Sequence, residues 1–138
     1  MAGFSTSLAN AIISSTLRGV AFPAIRTPYF ALFTSDPTDS FTAGTEVTAT
    51  WYQRVATGAF AAPNNGATYN STRAEFPPVT GAQVTVTHIG IVEGDSINDP
   101  TATLLYSEPL PQPRTLQVND VFVVDLQTLT GDFTLQLL

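Results

Sequence analysis

A chain of 138 residues with a formal net charge of −6, no cysteine and no lysine is excluded from several functional classes at once. Without thiols it has no disulfide framework, no thiolate zinc site and no cysteine nucleophile. Its five basic residues, Arg18, Arg26, Arg54, Arg73 and Arg114, are scattered along the chain, so they form no basic patch for nucleic acid or an anionic membrane.

The length is enough to bury roughly 68–70% of the unfolded surface in one core without staples. No run approaches the ~20 apolar residues that a bilayer span needs. Residues 1–20 lack the basic n-region of a signal peptide, so synthesis in a cytoplasm is expected. Charged residues are 12% of the chain, about half the usual ~25%. A surface built from Thr, Ser, Asn, Gln and Ala is less guarded against association than an ordinary one.

In chain order, residues 4–18 carry the one convincing helical pattern. Phe4, Leu8 and Ile12 repeat at four, as do Ile13 and Leu17, which reads as one broad apolar stripe. Ser5, Thr6 and Ser7 offer capping oxygens and Gly19 a stop. Tyr29–Thr34 reads as a strand with apolar residues on both faces, ended by Asp36-Pro37. Glu46–Thr48, Trp51–Phe60, Ala67–Phe76 and Thr103–Tyr106 read as further strands, with a turn at Pro63-Asn64-Asn65-Gly66.

Gln83–Val92 alternates, with Val84, Val86, His88, Gly90 and Val92 on one face and Thr85, Thr87, Ile89 and Ile91 on the other. Pro109, Pro111 and Pro113 bar a central strand and suit an extended edge. Val121–Asp125 and Asp132–Leu138 close the chain, with Leu137-Leu138 expected to be tucked in. The expectation is a single all-β domain over residues 1–138. It is an antiparallel, jelly-roll-like β-sandwich of seven or eight short strands (27–138), preceded by one short helix (4–18).

Candidate chemistry is thin. Gly94-Asp95-Ser96-Ile97 resembles the nucleophile block of GDSL-type esterases. Those enzymes need an Asp-x-x-His pair after the serine, whereas the only histidine here, His88, precedes it. A lone histidine is no metal site. Glu93, Asp95, Asn98 and Asp99 crowd one loop; calcium takes such oxygens, but the EF-hand pattern fails at Ile97. Carboxylate pairs for glycoside hydrolysis leave no positive signal. Asn70-Ser71-Thr72 is formally a glycosylation acceptor. Catalytic, metal and cofactor sites are therefore all expected to be absent.

The ordered blocks Tyr29–Thr38, Gly44-Thr45-Glu46-Val47, Tyr52-Gln53-Arg54, Gly66–Ser71, Val86–Ile91, Leu104-Leu105-Tyr106 and Val118-Asn119-Asp120 resemble a family of small tailed-bacteriophage virion proteins. Its members are labelled head-decoration or tail-fibre-like proteins. Trp51-Tyr52-Gln53-Arg54, loop 93–100 and the proline run depart from the family pattern. The resemblance implies a non-enzymatic virion protein. The first expectation is a capsid decoration (cement) protein, a homotrimer bound to the major capsid protein on the outer head surface. The alternative is a tail-fibre or tailspike tip that recognises host surface glycans. A virion-borne glycan hydrolase is the enzyme-class alternative. Phe4, Leu8, Ile12, Arg18 and Arg26 are the candidates for partner contact.

Overall fold

A computed structural model of the chain describes residues 3–41, 45–125 and 134–136, the last three by backbone alone. Among them the protein is antiparallel β with one helix. The elements are β1 (Gly3–Phe4), α1 (Thr6–Arg18), β2 (Thr27–Phe33), β3 (Val55–Ala56), β4 (Ala67–Tyr69), β5 (Ala74–Glu75), β6 (Val84–Gly94), β7 (Thr103–Leu116), β8 (Val123–Val124) and β9 (Thr134–Gln136). A five-stranded sheet runs β1-β7-β6-β2-β3, and two two-stranded ladders pair β4 with β9 and β5 with β8. The expected tuck of Leu137-Leu138 falls outside the described residues.

The double-sided apolar pattern of the Tyr29–Thr34 segment has a direct structural counterpart. β2 pairs with β6 along its whole length, Phe30 opposite Ile91 and Leu32 opposite Ile89. Phe30 and Leu32 point into the larger core with Leu105, Val86, Phe76, Val79, Phe122 and Val124. Tyr29, Ala31 and Phe33 point the other way, into a smaller core with Val92 and Leu104. Phe30, Leu32 and Phe33 are completely buried, and each such side chain contributes about 1.5–3 kcal/mol of transfer free energy. The strand stops as its sequence predicts, because the Asp36 carboxylate accepts the Thr38 N–H at 2.8 Å and turns the chain.

The alternation of β6 breaks where pattern reading carried it straight through. A register shift lies between Val86 and His88, and a second between Ile91 and Val92. Across the first shift β6 advances two residues, from Val86 to His88, while β7 spans five, from Pro109 to Arg114, and Val86 lies in the core of Ile89 and Ile91 and not in that of Val92. At the second, Leu105 and Tyr106 of β7 both lie against the larger core. Gly90 sits at a point of close approach. A Cβ there would stand 2.9 Å from the Tyr106 carbonyl oxygen and 3.0 Å from the Phe33 ring.

β7 continues through all three prolines to Leu116. Pro109 lies opposite His88 and Arg114 opposite Val86, and Pro111 and Pro113 fall in the register shift between them, where a missing N–H leaves no ladder bond unmade. β1 covers β7 only at Tyr106 and Ser107, so the proline stretch is an edge that cannot recruit another strand.

The expected Trp51–Phe60 strand is reduced to Val55–Ala56, since Gly58, at φ +66°, redirects the chain. Beyond it, Ala59–Ala61 pairs with Tyr69–Ser71 instead. A side chain at Gly58 would also strike Thr72 at 2.7 Å. The expected return strand Ala67–Phe76 splits accordingly into β4 and β5.

α1 starts at Ser5, whose hydroxyl accepts the Leu8 N–H at 3.1 Å, and ends at Gly19 in the left-handed region. Phe4, expected in the helix, belongs to β1. Leu8 is buried in the larger core, and Ile12 packs against it. Ile13 is 53% exposed and Leu17 79%. The supposed single stripe is two, on nearly opposite sides of the helix at 100° per residue, and only one faces the core.

Phe30→Ala is expected to cost about 3–5 kcal/mol, a large share of the ~5–15 kcal/mol that holds a domain together. Gly90→Ala should cost about 1–3 kcal/mol by overpacking. Equilibrium urea unfolding monitored by circular dichroism checks both, and a near-neutral Gly90→Ala would contradict the close approach.

Candidate functional site

The densest polar assembly gathers where the connector 19–26, residues 46–54 and the loop 93–103 meet. Arg54 is its centre. Its Nε donates to Glu46 Oε1 and its Nη2 to Glu46 Oε2, both at 2.8 Å, while Nη1 reaches the Asp99 carbonyl at 3.0 Å. The Tyr52 hydroxyl donates to Glu46 Oε1 at 2.7 Å and accepts the Leu32 N–H at 3.1 Å. Burial, then the Glu46 charge, pushes the Tyr52 phenol far up from its ordinary value, so it stays a neutral donor. The hydrogen bond to Glu46 likewise raises the Arg54 guanidinium. A bidentate pair of this kind holds geometry as well as charge.

Arg26 makes the second clamp. Its backbone N–H donates to Glu93 Oε2 at 2.7 Å, and its guanidinium reaches Asp99 Oδ2 at 3.1 Å and the Thr101 carbonyl at 3.1 Å. Asp99 accepts from the backbone N–H of Asp95 and from both the N–H and the hydroxyl of Thr101. Those hydrogen bonds, the Asp95 N–H first and Arg26 last, hold the Asp99 carboxyl down at about 2, against 3.8 ordinarily. Glu93 also accepts from the Thr103 hydroxyl at 2.9 Å.

The acidic loop is thus organised around an arginine. The oxygens that suggested calcium in the sequence are turned onto Arg26 and onto the loop's own backbone. Among the described residues no group of three or more His, Asp or Glu side chains is placed to hold a metal.

The esterase-like block has no base. His88 and Gly94 are six steps apart on one strand, about 20 Å, and His88 Nδ1 lies 2.8 Å from the Thr87 hydroxyl. Ser96 lies in the turn beyond, where its carbonyl accepts the Asp99 N–H. Asn70, the formal glycosylation acceptor, is fully buried and donates to the Thr72 and Asp125 carbonyls.

The five residues nominated for partner contact divide. Phe4 lies 5.8 Å from Tyr106, ring centre to ring centre, Leu8 and Ile12 meet the chain's own core, and Arg26 holds the acidic loop. Arg18 is exposed in the last turn of α1. Sequence reasoning missed the outward apolar set Ile13, Leu17, Val20, Phe22 and Ile25, which are 44–79% exposed. The signal was present, since a helix carrying apolar residues 140–180° away from its buried ones has two faces to cover. Phe22 and Ile25 also wall an open groove of about 330 Å³, with Leu8, Phe60, Ile91 and Leu105 beneath.

The geometry offers a rigid scaffold and an apolar surface, without a nucleophile–base pair among the described residues. The family model of the podophage GP4 fiber I protein gp80 matches residues 3–132. The chain belongs to that family. It is therefore a tailed-phage virion protein of the structural kind, as the ordered sequence blocks implied. No curated protein matches it. The family's name speaks of a fibre, so the capsid-decoration expectation does not carry over as the leading one. Among the described residues no helix is long and apolar enough to cross a membrane.

Removing Arg54 leaves Glu46 beside Tyr52 without its cation. Arg54→Met is expected to cost about 3 kcal/mol or more, and pairing it with Glu46→Leu should recover part of that in urea unfolding. Asp99 gives a pH signature. Its carboxyl is ionised more readily folded than unfolded, so its stabilisation is complete above 3.8 and lost as pH falls from there to about 2. The stability difference between wild type and Asp99→Asn should shrink across that window, and a constant difference would contradict the assignment.

Proposed function

We propose that the chain is a non-enzymatic structural subunit of a podophage fibre, which takes the fibre location, without the glycan ligand, from the tail-fibre or tailspike tip that the sequence reading kept beside capsid decoration. The observation that carries this is the match of residues 3–132 to a fibre-protein family. The interior supports the same reading. Glu46, Asp99 and Glu93 are committed to arginines and backbone, so their role is to fix loops in place. A subunit that transmits load or position needs that rigidity and an exposed surface through which to join neighbours.

A second reading, direct recognition of host glycan by this chain, has one observation in its favour. An open cleft of about 430 Å³ is lined by Ser5, Ser7, Asn10, Asp39, Ser40 and Phe41. Hydroxyls, an amide, a carboxylate and an aromatic ring are the groups that hold a sugar.

Gold-labelled antibody on intact virions, with copy number from quantitative mass spectrometry, tests the fibre reading. Label on the tail at a handful of copies per particle is expected. Label over the head at hundreds of copies would restore the cement reading instead. Binding to host polysaccharide that is lost in Asn10→Ala/Asp39→Ala would add the glycan role.

A further inference from the structure

The acids of this chain are unevenly placed. All eleven lie from Asp36 onward, and residues 1–35 hold two arginines and no acid. That acid-free segment carries the outward apolar set of α1 and the connector. Ile13 and Leu17, four apart, form one stripe on the helix, with Arg18 exposed at its end. Val20, Phe22 and Ile25 extend the surface to the apolar groove. Five large side chains at 44–79% exposure amount to roughly 500 Å², more than half of the ~800 Å² that one side of a stable interface buries.

The other exposed large apolar side chains among the described residues, Tyr69, Ile97, Val118 and Val121, lie in the acidic remainder. Two of them share one turn. Asp120 donates its N–H to the Gln117 carbonyl at 2.9 Å and accepts the Gln117 N–H on its carboxylate at 2.8 Å. Asn119 donates to the Val79 carbonyl at 2.8 Å. The turn is therefore fixed, and it presents Val118 and Val121 to solvent on either side of an exposed carboxylate.

We propose that this turn, Gln117–Val121, of one copy of the chain docks on the α1–connector face of a second copy. The valines pack on Ile13 and Leu17, and Asp120 lies opposite Arg18. The contact joins two different patches, so it propagates from copy to copy and either closes a ring or extends a row. A symmetric contact between two α1 faces would instead set the Arg18 charges of both copies against each other with no acid from residues 1–35 between them. This inference concerns the isolated chain and holds at any virion location, so virion labelling and self-association fail separately.

Sedimentation equilibrium of the purified full chain up to about 100 μM tests it. Wild type should associate beyond the monomer, with a dissociation constant in the micromolar range. Leu17→Asp should weaken association more than tenfold, and Arg18→Asp or Asp120→Arg alone by roughly three- to tenfold. The pair Arg18→Asp/Asp120→Arg should regain the wild-type constant, a rescue that general loss of fold cannot give. Circular dichroism confirms that each variant is folded. A wild-type monomer throughout, or single reversals without effect, or a double variant no better than the singles, overturns the proposal.

Discussion

The pairing of β2 with β6 is the constraint on which the rest of this molecule depends. Seven consecutive residue pairs join the two strands, and both faces of the ribbon are covered. Few positions could be polar without leaving a buried group unsatisfied. The larger core then needs a second layer, supplied by Ala74, Phe76, Phe122 and Val124 from the β5–β8 region and by Leu8 from α1. The smaller core needs Gly90, because Tyr106 and Phe33 occupy the space a side chain would take.

The loops at one end of that ribbon are held by charge. Thr27 of β2 lies opposite Gly94 of β6, and the chain leaves both strands into the region where Arg26 and Arg54 grip loop 93–103. Each arginine sits in a different segment, and both terminate on Asp99, one at its carboxylate and one at its carbonyl. Desolvating such groups is costly unless their hydrogen-bonding capacity is met, and here Arg54 and Asp99 each have several partners. The consequence is local order: Glu46, Glu93 and Asp99 are held by arginines, hydroxyls and backbone N–H groups and fix these loops in place.

A virion subunit acts through surfaces, and the outward surface follows from the same economy of residues. α1 is only thirteen residues long and would be marginal alone. It is anchored by Leu8 on one side, by the Ser5 N–H on the Leu105 carbonyl and by the Thr6 N–H on the Asp39 carbonyl. Its remaining apolar residues face out beside a connector of the same character. With few charges and no lysine, solubility rests on acids placed elsewhere in the chain, which leaves that face free to be covered.

Much of this was legible in the residues themselves. The all-β class, the capped helix ending at Gly19, the interior strand with its Asp36-Pro37 stop and the proline edge each follow from local chemistry acting over a few residues, and the ordered blocks pointed to the virion family. Tertiary structure alone decided the rest. Near His88 the ladder with β7 shifts, and Val86 joins the core of Ile89 and Ile91, because pairing with another strand interrupts an alternation that the segment's own residues would carry on. Gly58 split one expected strand between two partners. Loop 93–99 read as a candidate cation site because its acids are close in sequence, while the arginine that neutralises them comes from residue 26 and is brought there only by folding. Leu8 and Leu17 look alike in sequence, and only the position of the sheet determines that one is core and the other is surface.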